Sequence, residues 1–148
     1  MLAYDTNLTI YFANEDGTAL VPVTVNFSTV SNNMSGEEYI LQCLIAGPDE
    51  EDALAGACAV MTADVEVLSV TTSSDGICYV NFSSTFLNQE GQPVSDELMV
   101  YAIVDSLCRL SYVSGVQFLV DGESNVTTLS LMDLSQPLAF NWSYIGSS

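Results

Sequence analysis

The alternation of apolar and polar side chains near the beginning of the chain predicts two paired strands. Residues 8–12 (Leu-Thr-Ile-Tyr-Phe) follow the period of two that is typical of a strand with one buried face. Turn-forming residues at 14–17 separate this strand from a predicted partner over residues 20–27. Because Pro22 has no N–H group to donate, we expect the second strand to lie at a sheet edge or to contain a bulge.

The first predicted helix begins after Ser35, which is a favourable N-cap. Glu38 completes a capping box with it, and Gly47-Pro48 ends the helix because proline cannot continue it. The apolar face consists of Ile40, Leu41, Leu44 and Ile45. The carboxylates of the acidic run at 49–52 could attract a cation, but they lack the alternating ligands and the glycine of an EF-hand. We therefore expect a solvated loop there.

A second hairpin is predicted over residues 65–71 and 77–82, around the turn-forming residues 73–76. In its second strand, Cys78, Val80 and Phe82 share one face. Three apolar side chains on one side indicate the face that the helices cover.

The second predicted helix begins after Ser95, a favourable N-cap. Arg109 near its C-terminus interacts favourably with the helix dipole. Residues 116–120 then predict a strand, residues 127–131 a further strand, and residues 133–138 an ordered, irregular segment. The apolar positions of the helix have the i, i+3, i+4, i+7, i+8 spacing of a core-facing stripe, and they are Val100, Ile103, Val104, Leu107 and Cys108.

These elements predict an α+β fold in the order β-β-α-β-β-α-β-(β). Two amphipathic helices need an apolar sheet face to cover, so we expect a two-layer sandwich with a mixed or antiparallel sheet and two helices on one face. We place a single domain at residues 8–140, between an N-terminal leader at 1–7 and a C-terminal tail at 141–148. The leader lacks the basic and apolar regions of a signal peptide, so any export signal or lipid anchor would precede residue 1.

Charge is the most unusual property of the composition. Nineteen acidic residues face one basic residue, Arg109, and the formal net charge is −18. A surface of this sign repels phosphate backbones and anionic lipids, which argues against binding to nucleic acid or to a membrane surface. The longest uncharged apolar run, residues 98–104, is far shorter than the roughly 20 residues that span a bilayer. The acidity either maintains solubility or complements a basic partner, and it favours an exported protein.

The composition excludes most catalytic and metal-binding motifs. The chain has no histidine for a Ser-His-Asp or Cys-His arrangement, and no lysine for a Schiff base or a P-loop. We predict no catalytic residue, no cofactor and no metal site, and we expect that the chain is not an enzyme. The four cysteines lack CxxC spacing, and we expect buried free thiols, although three disulfide pairings exist if all are oxidised. They are Cys43, Cys58, Cys78 and Cys108.

Carboxylates and aromatic residues leave two other functions open. A glycosidase places two Asp or Glu side chains about 5–10 Å apart across a cleft, but the sequence singles out no such pair. Exposed aromatic rings could stack against sugars, whereas aromatics that alternate in strands usually pack across the sheet. The candidate aromatics are Tyr4, Tyr11, Phe12, Tyr112, Phe140, Trp142 and Tyr144.

Short segments along nearly the whole chain, from about residue 8 to residue 138, together resemble the GerM domain, a sporulation and spore-germination family. Their order and spacing carry the resemblance, and Asn81 stands where the family typically has an aspartate. The segments are Tyr11-Phe12 with Asn14-Glu15-Asp16-Gly17, Leu41 and Leu44 before Gly47-Pro48, Tyr79-Val80-Asn81-Phe82-Ser83 with Phe86, then Glu97, Tyr101, Ile103-Val104 and Leu107, then Val116-Gln117-Phe118-Leu119-Val120-Asp121-Gly122, and finally Asp133, Ser135 and Pro137-Leu138.

The resemblance implies an extracytoplasmic domain at the cell surface or envelope, anchored to the membrane in the full-length protein. It also implies a fold similar to the ring-building motifs of secretion systems, and it transfers no catalytic or binding residue. The leading hypothesis is a non-catalytic binding or assembly module whose partner is another envelope protein or a second copy. The alternatives are a domain that binds peptidoglycan or another glycan, and a carboxylate-dependent glycan hydrolase.

Overall fold

The structure, a computed structural model, describes residues 5–28, 35–87, 89, 91, 93–124 and 133–145. Its elements follow the predicted order, with one additional short helix. They are β1 (Asp5–Ala13), β2 (Leu20–Ser28), α1 (Gly36–Ala46), α2 (Glu50–Leu54), β3 (Val67–Thr72), β4 (Ile77–Phe82), α3 (Asp96–Leu107) and β5 (Gly115–Val120), with 3₁₀ turns at Ser84–Leu87 and Trp142–Tyr144. The further strand predicted at residues 127–131 lies outside the described residues.

The strands divide into two sheets. β1 and β2 form an antiparallel hairpin whose register runs without interruption from Asp5 opposite Ser28 to Ala13 opposite Leu20. The second sheet has the order β3-β4-β5, in which β3 is antiparallel and β5 parallel to β4. α3 supplies the crossover that a parallel pair requires. The α+β class is confirmed, and the first hairpin forms a sheet of its own instead of extending the second.

Both long helices pack on both sheets, so the described residues form one hydrophobic core. α1 contacts β1 and β3, α3 contacts β1 and β5, and the two helices contact each other. The predicted inward face of β4 is confirmed, since Cys78, Val80 and Phe82 are fully buried. Phe82 stacks on Phe86 with ring centroids 4.3 Å apart, and the ring of Phe118 lies within 6.3 Å of both.

The predicted starts and apolar faces of the two long helices are confirmed. Ser35 Oγ accepts the N–H group of Glu38 at 3.2 Å, and Ser95 Oγ accepts the N–H group of Leu98 at the same distance. None of the helices in the described part of the chain is long and apolar enough to cross a membrane. The buried face positions are Ile40, Leu41, Leu44, Val100, Ile103, Val104 and Leu107, with Ile45 and Cys108 half-buried beside them.

The expectation of a loop at residues 49–52 is wrong. Asp49 is the N-cap of α2, where its carboxylate accepts the N–H group of Asp52 at 2.8 Å. Glu50 and Glu51 occupy the first turn with Asp52. Negative charge is favourable there, because the unpaired N–H groups give a helix N-terminus a partial positive charge. The acidic run therefore starts a helix.

The outer edge of β1 is hydrogen-bonded by side-chain and backbone groups. The N–H group of Tyr11 donates to Ser106 Oγ at 2.8 Å, and Ala13 exchanges two backbone hydrogen bonds with Cys58 at 2.8 and 2.9 Å. Successive residues of an antiparallel strand direct their backbone groups alternately toward and away from the partner strand. Tyr11 and the opposing Pro22 both face away. Pro22 therefore removes no hydrogen bond between β1 and β2. The predicted position of Pro22 in an edge strand is confirmed.

Residues 133–145 pack against both sheets. Leu138 exchanges two backbone hydrogen bonds with Val116, each 2.8 Å long, and so extends the second sheet beyond β5. Phe140 packs edge-on against Tyr11 with ring centroids 6.0 Å apart. Residues 133–138, expected to be ordered but irregular, are indeed ordered, and contacts with β5 and β1 hold the segment in place.

Asp105 is a buried carboxylate that holds this segment to α3. Its Oδ1 atom accepts the N–H group of Asn141 at 2.9 Å, whereas Oδ2 has no hydrogen-bond partner among the described residues. The side chain is fully buried. Burial raises the pKa of Asp105 from 3.8 to about 6, and the hydrogen bond from Asn141 offsets only part of this effect.

We expect Asp105 to lower the stability of the protein as the pH rises. The pKa of its carboxyl group is higher in the folded than in the unfolded state, so folding favours the protonated form. The corresponding stabilisation is complete below about pH 4 and is lost as the pH rises through 6. The loss should amount to about 2–3 kcal/mol in the free energy of unfolding, measured by urea denaturation across this range.

The variant Asp105→Asn isolates this contribution, because an amide does not titrate. Its unfolding free energy should lack the decrease that the wild type shows above about pH 4. Asp16→Asn, in the exposed turn between β1 and β2, is the matched control and should keep the wild-type profile. A wild-type slope in Asp105→Asn would show that another group is responsible.

We also expect Ser106→Ala to destabilise the protein, because it leaves the buried N–H group of Tyr11 without an acceptor. The cost should be about 1–3 kcal/mol in the free energy of unfolding, measured by urea denaturation. Ser111→Ala removes an exposed hydroxyl group and should change the stability by no more than about 0.5 kcal/mol. Equal stabilities of the two variants would contradict the role of Ser106.

Candidate functional site

Among the described residues, the outer edges of β2 and β3 have fewer hydrogen bonds than the outer edge of β1, which is bonded at Tyr11 and Ala13. On β2, Leu20 forms a bridge with Ile145, and the next outward position is Pro22. A proline on an edge strand blocks the addition of another strand, because it offers no N–H group. On β3 the outward positions carry no proline. The edge of β3 is therefore the more accessible of the two for a partner backbone.

The backbone groups of Val70 and Thr72 point outward from β3. The N–H group of Ser73 donates to the carbonyl oxygen of Ile77 at 2.9 Å, which fixes the alternation of inward and outward positions along the strand. A bulge interrupts the ladder between Val67 and Ser69, so the intervening residue has no partner on β4. The regular part of the open edge thus begins after the bulge.

A groove of about 300 Å³ runs between α1 and this edge. We call the two half-buried valines of the lining, Val67 and Val70, its floor. The bulged Leu68 beside them is 50% exposed, and most of the exposed lining of the groove is polar. Glu38 and Gln42 line it from the helix. We call it the β3 groove, and its lining residues are Glu38, Gln42, Val67, Leu68, Ser69 and Val70.

A buried carboxylate fixes α1 against the end of β3. Glu37 accepts hydrogen bonds from the hydroxyl groups of Tyr112 at 2.6 Å and Thr72 at 2.8 Å, one on each carboxylate oxygen. Partial burial, followed by the hydrogen bond to Glu37, raises the pKa of Tyr112, so the phenol stays a donor. With both oxygens occupied, Glu37 holds the spacing between helix and strand that defines the β3 groove.

Acidic residues line the β3 groove and flank β3 in the sequence. Glu38 lines it, Asp64 and Glu66 are exposed just before β3, and Asp75 is exposed in the turn after it. A hydrogen bond from the Ser73 hydroxyl lowers the pKa of Asp75, which keeps this carboxylate ionised. The only basic residue of the chain, Arg109, lies beyond the C-cap of α3. The groove therefore presents an apolar floor within a field of negative charge.

The two described grooves lack the paired carboxylates that a glycosidase requires. The second groove, of about 250 Å³, lies between β2 and α2, and Asp52 is the one carboxylate in its lining. Glu38 is the one carboxylate in the lining of the β3 groove. The buried carboxylates Glu37 and Asp105 line neither groove. No group of three or more possible metal ligands occurs among the described residues.

The four cysteines are unpaired thiols in the structure. Burial raises the pKa of Cys78 and that of Cys108 to about 11, and it also raises the pKa of Cys43. The thiolate is the nucleophilic form of cysteine, so these three side chains are poor nucleophiles at neutral pH.

The aromatic residues considered from the sequence do not form a row on the surface. Tyr11 and Phe12 are buried, and Tyr112 is held by Glu37. Tyr144 stacks on Tyr101 with ring centroids 4.7 Å apart. Tyr11 and Phe12 thus pack inside the protein, as alternating aromatics in strands commonly do, whereas Tyr112 is 52% exposed although its hydroxyl group is bonded. Tyr4 and the side chain of Trp142 lie outside the described residues.

The β3 groove was not predicted from the sequence, which singled out no binding residue. One signal was present, since the adjacent apolar residues Val67 and Leu68 interrupt the alternation of the strand. Such an interruption is typical of a bulge. The position of α1 beside β3 depends on the contact between Glu37 and Tyr112, which are 75 residues apart.

The comparison with known proteins agrees with this fold. The family model Germane, described as sporulation and spore germination, matches residues 9–126. The tandem GerMN domains of the sporulation protein GerM from Bacillus subtilis give a TM-score of 0.76 at 23% identity, covering 96% of this chain and 48% of that chain. This chain thus spans about half the length of the tandem structure. The first GerMN domain of the same protein gives a TM-score of 0.71 at 21% identity, covering 90% and 97%.

A protein from Clostridium perfringens described as a candidate lipoprotein has a similar fold, with a TM-score of 0.54, 20% identity, and coverage of 91% of this chain and 87% of that chain. None of the curated proteins is a significant match in sequence. The structural similarities establish the fold, and the family match extends over most of the chain. The resemblance seen in the sequence is therefore confirmed: the chain belongs to the Germane family, sporulation and spore germination, and has a GerM-like fold.

Proposed function

We propose that the chain is a non-catalytic binding module of an extracytoplasmic envelope assembly, in which another protein docks in the β3 groove. Membership of the Germane family supports a role in sporulation or germination. The similarity to the Clostridium perfringens protein supports an envelope location. GerM-like domains are not known as enzymes, and the poorly nucleophilic thiols and the single carboxylate in each described groove agree with a binding role.

The observation that carries the proposal is the contrast between the sheet edges. The edge of β1 is bonded at Tyr11 and Ala13, the edge of β5 is bonded to Leu138 at Val116, and the edge of β2 contains Pro22. Among the described residues, no backbone group pairs with the outer edge of β3, which lies beside the valine floor. Soluble proteins usually block such an edge, because it is a template for pairing with another chain. An edge left open next to a groove favours a docking site.

Photocrosslinking from the β3 groove tests the proposal. Replacement of Leu68 by p-benzoylphenylalanine should crosslink a discrete protein in intact cells that make the full-length protein. Mass spectrometry then identifies the partner and the joined residue. Leu54 is the matched control, since it is an exposed leucine, 83% accessible, on α2 and outside the lining of both grooves. The same replacement there should give less than about one-tenth of the yield, because hot-spot contacts are confined to the interface.

Equal crosslinking from Leu54 and Leu68, or none from Leu68, would contradict docking in the β3 groove. The non-catalytic part of the proposal has a separate test. Incubation of the protein with purified peptidoglycan from acidic to neutral pH should release no soluble sugar. Sugar release that scales with protein concentration would contradict it.

A further inference from the structure

We infer that the β3 groove binds an extended, basic segment of a different protein, and that this segment is added to β3 as a strand. The inference rests on the proposed function, because it specifies the partner of the same groove. Three properties of the described residues carry it: the outward backbone groups, the apolar floor, and the sign of the surrounding charge.

The backbone of β3 is arranged to accept one more strand. Val70 and Thr72 direct their N–H and C=O groups away from β4, toward the side on which α1 borders the groove. An extended segment laid along this edge would pair with these groups as the strands of a sheet do. The bulge at Leu68 confines regular pairing to the residues that follow it. The expected addition is therefore short, and a helix flanks it on one side.

The side chains of the groove determine which residue types can alternate along the added segment. Alternate residues of a strand point to opposite faces, so every second side chain of the segment meets the floor formed by Val67 and Val70. Small aliphatic side chains fit these positions, because the whole groove measures about 300 Å³. Main-chain hydrogen bonds supply affinity in this binding mode, and the floor supplies specificity.

Charge decides between a different protein and a second copy of this chain. Glu38 lines the groove, the exposed Asp64, Glu66 and Asp75 flank β3 in the sequence, and the whole chain carries a formal charge of −18. A second copy would bring the same negative charge to the interface and would be repelled. Lysine or arginine side chains on the outward positions of an added segment would meet this field favourably. The partner is therefore a basic segment from another protein.

Short synthetic peptides test the binding mode on the whole chain. The probe is a blocked peptide of alternating lysine and valine, and the measurement is a titration followed by ¹H–¹⁵N correlation spectra. The amide signals of Val70 and Thr72 should shift at saturation, because their N–H groups gain acceptors. A peptide with glutamate in place of lysine tests charge, and a peptide with N-methylated valines, which cannot donate backbone hydrogen bonds, tests strand pairing. Both of these peptides should bind at least about tenfold more weakly than the lysine–valine peptide.

Two variants test the groove itself. Val70→Pro removes one outward N–H group without removing a bond to β4, and it should weaken binding of the lysine–valine peptide about fivefold. The chain already carries Pro22 at an outward position of β2. Glu38→Lys should weaken binding about fivefold at low salt and less at high salt. Glu50→Lys on α2 makes the same charge change outside the groove and should leave the affinity within about twofold.

Several results would overturn the inference. One is binding of the glutamate peptide or of the N-methylated peptide as tightly as the lysine–valine peptide. Another is a set of signal shifts that spares Val70 and Thr72. A third is self-association, measured by sedimentation velocity, that Glu38→Lys alters. If Val70→Pro does not fold, the N-methylated peptide still tests whether binding requires backbone hydrogen bonds to β3. Crosslinking from Leu68 distinguishes failure of this inference from failure of the proposed function. A Leu68 crosslink with failed peptide arms overturns only the added basic strand, whereas loss of that crosslink overturns the proposed function.

Discussion

The outer edge of β1 has to be hydrogen-bonded within the protein, because the helices and residues 133–145 bury this strand on both faces. A buried backbone N–H group without a partner is costly. Ser106 and Cys58 provide the partners for Tyr11 and Ala13. These bonds occupy the end of β1 that lies next to α3. The second sheet ends at β3, whose outer edge has no hydrogen-bond partner among the described residues.

Two buried carboxylates have opposite energetic roles. Glu37 has a hydroxyl donor on each oxygen, from Tyr112 and Thr72, and it joins α1 to the second sheet. Asp105 has a donor on one oxygen, and its ionised form is disfavoured by burial. The two donors hold the side chain of Glu37 in place, whereas the raised pKa of Asp105 makes the stability fall as the pH rises. Glu37 lies next in sequence to Glu38, which lines the β3 groove.

Patterns within a few residues predicted most helices and strands. Contacts between residues far apart in the sequence determine how the sheets and helices are arranged. The caps Ser35 and Ser95 and the apolar stripe of α3 depend on residues within a few positions of one another, so the sequence shows them directly. The same information left the acidic run at 49–52 ambiguous, because Asp49 favours both a turn and a helix cap. The contact between β1 and α3 includes Ser106, which looks like an ordinary polar residue of α3 until β1 lies beside it.

The position of residues 133–145 has a consequence for how the chain folds. The hydrogen bond between Tyr11 and Ser106 joins positions 95 apart, and the contact between Tyr11 and Phe140 joins the first strand to a segment near the other end of the described chain. Contacts of such long sequence separation slow folding, because large loops must close before they form. During synthesis, β1 therefore lacks its contacts with α3 and with residues 133–145 until almost the whole domain has emerged from the ribosome.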